Sequence, residues 1–209
     1  MPRDLNQDLV NYIETTIFPK YADGSGHSLD HIKYVIRRSL KFAEQVPEAD
    51  LNICYTVAAY HDLGRLIDDD THEKVSAAYV RIDPHLREFF SDEEIETIAE
   101  AVEDHRASSK HEPRSVYGRI ASSADRSTSV DEMIKRSAES HIYWNPGQDI
   151  DKCLEEARQH LLRKYGKNGY ALSKMYFDDP EYVKACAGIQ KYAENFDKYK
   201  AKYERLKDN

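Results

Sequence analysis

The sequence predicts an all-α protein. Apolar residues recur at three- and four-residue spacing in almost every periodic stretch, alternating apolar and polar runs bounded by turns are hard to find, and helix start and stop signals bracket the periodic segments. A first helix is expected from about Asp4 to Phe18, with Leu5, Leu9, Tyr12, Ile13 and Ile17 on one stripe and Pro19 as its stop. The loop Ala22, Asp23, Gly24, Ser25, Gly26 then delivers His27 to a second helix, from about Ser28 to Gln45, whose apolar face is Ile32, Val35, Ile36, Leu40 and Ala43. A third, from about Glu48 to Leu63, buries Leu51, Cys54, Tyr55, Ala58 and Ala59, and Gly64 supplies the flexible residue past its end.

After the acidic loop Asp68, Asp69, Asp70, Thr71 is placed to cap a short helix to about Val80. Ser91 and Glu94 form a capping box for a helix to about Arg106. Further helices are expected near Ser115 to Asp125, Val130 to His141 and Ile150 to Tyr165. From about Pro180 one long amphipathic helix should carry Tyr182, Ile189, Tyr192, Phe196 and Tyr203. The tyrosine-rich stretch Tyr165, Tyr170, Tyr176, Phe177, Tyr182 reads as core, or alternatively as a pocket that stacks on a nucleobase.

At 209 residues the chain suits a single domain, with a core over about 22–130 and C-terminal helices over about 149–206. Thirty Lys and Arg against 38 Asp and Glu give a net charge of −8, which repels polyphosphate backbones and argues against nucleic-acid polymers as partners. A small phosphorylated substrate stays open, because one ion and a few local basic residues can reverse the field inside a cleft. Cys54, Cys153 and Cys186 fit neither a disulfide framework nor a zinc ribbon and read as small buried apolar residues of a reducing cytoplasm. No stretch approaches a membrane span and the N-terminus lacks a signal-peptide pattern, so a cytoplasmic protein without membrane association is expected.

The sharpest chemical signal is Ala58, Ala59, Tyr60, His61, Asp62, Leu63, Gly64, Arg65. An imidazole and a carboxylate are adjacent where an apolar helix stops being regular, so both can converge on one ion; a surface helix end would tolerate the same pair. His31 lies about thirty residues upstream and Asp125 about sixty downstream, each on its own expected helix. In the order His, His-Asp, Asp, and in the stretches Gly26 to His31, Tyr60 to Arg65 and Ala124 to Arg126, the chain resembles small bacterial phosphohydrolases of the HD domain superfamily. Ser76, following His72 and Glu73, and His105 near a helix end look like features of that group.

The resemblance implies a helical bundle in which His31, His61, Asp62 and Asp125 bind one divalent cation and a metal-bound water attacks phosphorus. Two imidazoles and two carboxylates suit Mn, Mg, Fe, Co, Ni or Zn. Asp62, His72 and Glu73 are the candidate catalytic groups, the last two as proton relays, though both would also serve as ordinary residues of a helix start. His27 and His105 could complete a second metal site or meet phosphate; the competing readings are a helix cap and a C-terminal dipole partner. Arg65, Lys74, Arg106 and Arg126 are candidate phosphate binders, or equally salt-bridged surface. Tyr34 stands where many relatives carry a basic residue, three positions after the first histidine, which bears on substrate class. His85, His111, His141 and His160 read as surface or satisfied residues.

The function expected is hydrolysis of a phosphomonoester or phosphoanhydride in a nucleotide or similar small metabolite, by a monomer or homodimer. Two alternatives use the same fold: a non-catalytic nucleotide or metal sensor, and an oxygenase with a pair of irons. No glycine-rich phosphate loop and no Gly-x-Ser-x-Gly elbow supports another mechanism.

Overall fold

The computed structural model describes residues 4–21, 29–68, 70–107, 109 and 111–207. The fold is all-α, with no strand among the described residues. It falls into two compact units, Met1–Asp125 and Arg126–Asn209.

In the first unit, α1 (Gln7–Tyr12) starts later than its apolar stripe suggested, because the Asn6 side chain accepts from the Asp8 and Leu9 amides and caps it there. The chain widens into a π-type turn over Ile13–Ile17 and tightens over Phe18–Lys20. Pro19 therefore sits within the last turn instead of stopping the helix before it. α2 (Leu29–Ala43) buries Ile32, Val35 and Ile36 as expected, and also Arg38, Ser39 and Phe42.

α3 (Leu51–Tyr60) is the centre of the unit. Asp50 accepts from the Asn52 amide and caps it, and every residue from Asn52 to Tyr60 is buried, so the helix has no solvent face. It packs against α2, α4 (His72–Ile82), α5 (Asp92–Glu103) and α6 (Val116–Ala124). The half-buried Asp83 carboxylate accepts from Tyr12 at 2.6 Å and Tyr60 at 2.7 Å, joining three elements at one point.

The expected capping box of α5 is formed in both directions by Ser91 and Glu94. The expected Thr71 cap is not made. Thr71 donates its hydroxyl to Asp68 Oδ2 at 2.6 Å and makes no capping bond to α4. Gly64 is required for close approach and not for a left-handed turn: a Cβ there would meet the His72 carbonyl oxygen at 2.4 Å, and its amide donates to the buried Ser76 Oγ at 2.8 Å. That contact sets the start of α4, and so of His72, against the end of α3.

The second unit is built from α7 (Val130–Trp144), α8 (Ile150–Tyr165), α9 (Pro180–Ala193) and α10 (Phe196–Leu206) around Ile134, Leu154, Leu161, Ile189 and Tyr199. The single long C-terminal helix is in fact two. Asn195 leaves the helical conformation and its side chain accepts from the Lys198 amide, starting α10 afresh. Tyr165 and Tyr182 belong to this core, while Tyr170 is exposed. The three cysteines are buried and unpaired. No helix among the described residues is long and apolar enough to cross a membrane.

Candidate metal centre

Five helix ends of the first unit deliver the cluster. His31 lies in the first turn of α2, His61 and Asp62 follow the last residue of α3, His72 opens α4, and Asp125 follows α6. His105 comes two residues after α5. Helix ends suit this purpose because the chain there leaves regular geometry and neighbouring side chains can converge.

His31 Nε2 stands 3.1 Å from Asp125 Oδ1 and 3.7 Å from Asp62 Oδ2. His61 Nε2 is 3.4 Å from Asp62 Oδ2 and 3.7 Å from Asp125 Oδ1. Donors at about 2.1 Å from one ion stand about 3.0 Å apart at a right angle and about 3.4 Å apart in a tetrahedron, so these separations are those of ligands sharing a cation. The buried His61 Nε2 makes no hydrogen bond within the described residues. Its other ring nitrogen does: Nδ1 lies 2.8 Å from the Ala58 carbonyl, which holds the proton on Nδ1 and turns the Nε2 lone pair toward the carboxylates.

The electrostatics ask for positive charge. Burial works against an ionised His61, yet Asp62 and Asp125 outweigh it and push the imidazole up to about 10. Burial likewise opposes ionisation of Asp125, and the adjacent His31 imidazole and the adjacent positive charge of His61 overcome it, holding the carboxyl well below its usual range. Two carboxylates that draw a proton onto a buried imidazole would accept a divalent cation in its place. The donor set therefore fits a metal.

A second group meets on the other oxygen of Asp62. Oδ1 is 3.4 Å from His72 Nε2 and 3.6 Å from His105 Nε2, and those two nitrogens are 3.2 Å apart. His105 Nδ1 is held by the Val102 carbonyl at 2.7 Å, the same arrangement as in His61. Burial, and then the neighbouring charge of His61, pull His105 down to about 4 against the pull of Asp62. Both triads, His31 with His61 and Asp62, and Asp62 with His72 and His105, could hold an ion.

The other expected residues divide. Arg65 Nε donates to Asp62 Oδ1 at 2.8 Å. Arg106 donates to Glu73 Oε2 at 3.0 Å and to the Asp70 carbonyl, and Glu73 lies 4.0 Å from His72 Nδ1. Burial disfavours the Glu73 carboxylate, but a bond from its own backbone amide and the Arg106 guanidinium more than compensate, so it is ionised at neutral pH. Lys74 is exposed on α4, outside the buried cluster. Arg126 opens the second unit, where it donates to the Ala171 and Lys174 carbonyls and lies over the Tyr182 ring. His27 lies outside the described residues.

Arg38 was not singled out in the sequence. It is buried in α2, between the rings of Tyr34 and Phe42, and its guanidinium donates to the Ser123 and Ala124 carbonyls at the end of α6, one residue before Asp125. An arginine two positions from a predicted apolar site is the only signal it leaves.

An all-helical unit with a buried His and Asp cluster at its helix ends defines a class of proteins built to hold divalent metal. Residues 28–130, just under half of the chain, match the HD domain model, so this stretch carries an HD domain. HD domains bind divalent metals, and most of the family are metal-dependent phosphohydrolases. A solved crystal structure of a protein from Lactobacillus plantarum has the same fold, with a TM-score of 0.60 at 17% identity over 97% of this chain and 100% of that one. No curated protein matches the chain.

Proposed function

We propose that this chain is a metal-dependent phosphohydrolase that cleaves a phosphomonoester or phosphoanhydride of a small metabolite of the nucleotide kind. The observation that carries the reading is the spacing of His31, His61, Asp62 and Asp125 at the buried end of α3, with the guanidinium of Arg65 on the same carboxylate. A divalent cation held by these side chains supplies Lewis acidity and makes water nucleophilic near neutral pH.

The protein's own groups do the rest. The Ala58 carbonyl keeps His61 in the tautomer that presents Nε2. Glu73, ionised and anchored by Arg106, is in the form that takes a proton and hands it toward His72. Arg65 and Arg106, both partly exposed, are the planar donors for phosphate oxygens.

The test is a screen of phosphorylated metabolites with Mn, Mg, Co and Ni, reading phosphate and pyrophosphate separately. Asp62→Ala should lose both metal and turnover, the latter by about a thousandfold, the equivalent of about 4 kcal/mol of transition-state stabilisation. Tight metal binding with no turnover across the library would leave a sensor as the function. One observation favours an oxygenase as the second reading: His72 and His105 stand where a further ion would need them. Oxygen consumption with a spectroscopic iron pair, and no phosphate release, would establish it.

A further inference from the structure

Asp62 offers its two oxygens to two unequal sets of donors. On Oδ2 the imidazoles of His31 and His61 are joined by a second carboxylate, Asp125. On Oδ1 the partners His72 and His105 are uncharged when they ligate, so Asp62 is the only anion of that set. Onto this same Oδ1 comes Arg65, three residues along the turn, its Nε at 2.8 Å and its side chain 20% exposed.

We propose that the Arg65 guanidinium is a resident cation at the second position, so that the centre takes one divalent ion by itself and a second only when phosphate draws Arg65 away. This rests on the metal-centre reading above. A divalent ion on Oδ1 would stand beside a full positive charge, with one shared carboxylate to balance it. A phosphate group changes both sides of that balance: its oxygens match the guanidinium fork and take Arg65 off Oδ1, and its own negative charge then serves the incoming ion. Phosphate and the second ion are therefore expected to bind with positive coupling. Because Arg65 is partly exposed, it has room to swing toward a ligand, while His72 and His105 are buried and stay.

The experiment is Mn2+ binding to the full chain by calorimetry and metal analysis, with and without excess inorganic phosphate, for wild type, Arg65→Met and Arg65→Lys. Wild type should bind one equivalent alone and two with phosphate, the second giving the exchange-coupled electron paramagnetic resonance signal of a Mn pair. Arg65→Met should bind two without phosphate while its first-ion affinity stays within about threefold of wild type, which also reports that the site has folded. Arg65→Lys, keeping the charge, should follow wild type. Two equivalents in wild type without phosphate, one equivalent in wild type with phosphate, or one in Arg65→Met under both conditions would each overturn the inference and leave the first site standing. Absence of any bound ion in wild type would instead remove the metal-centre reading, and the inference with it.

Discussion

Asp62 is the residue on which both imidazole pairs converge, and its neighbours separate roles that the sequence left mixed. Glu73 was legible as a carboxylate at a helix start, with a relay or a merely structural role; its pairing with Arg106, close to His72, is a tertiary fact. Glu73→Gln keeps the shape and removes the base. Retained Mn2+ content with kcat reduced about a hundredfold is the expected result, and metal analysis beside steady-state kinetics checks it. Arg38 acts at one remove, on the α6 carbonyls that precede Asp125. Arg38→Met should weaken Mn2+ affinity about tenfold through Asp125, with Arg38→Lys recovering part of it, as read by calorimetry. Arg38 escaped the sequence reading because its own helix is amphipathic without it, and its partners lie about 85 residues away.

Among the elements, the turn between α3 and α4 carries the most consequence. Periodicity finds both helices, but it cannot see that Gly64 touches the His72 carbonyl, since that contact depends on how the two helix ends meet. Gly64→Ala forces backbone to move at 2.4 Å and should cost about 3 kcal/mol in thermal unfolding, with His72 displaced. Ser76→Ala leaves the buried Gly64 amide without its acceptor and should cost about 2 kcal/mol in the same measurement. Local signals were reliable where the partner is three residues away, as in the Ser91 and Glu94 box. They failed at Thr71, whose hydroxyl has a better acceptor in Asp68, and at Asn195, where a cap residue inside an apolar stripe divides α9 from α10.

At the scale of the molecule, each unit has its own core, and the side chains that could hold a metal belong to the first. Mn2+ at a hundred times its Kd should stabilise the folded first unit by about 2.7 kcal/mol. Hydrogen exchange should accordingly show the added protection over residues 29–125, reversed by chelator. Leu154→Ala, in the core of the second unit, should cost about 3 kcal/mol, and its slowest-exchanging amides there should lose protection first.

By itself the sequence determined the helical class, most helix positions, and the residue types able to hold a cation, because helical periodicity, caps and donor chemistry are local properties. The tertiary structure alone decided that His72 and His105 share Asp62 with His31 and His61, and that Arg65 and Arg38 brace the site. Those contacts join helix ends tens of residues apart, and their distances follow from how whole helices pack, which no spacing along the chain encodes.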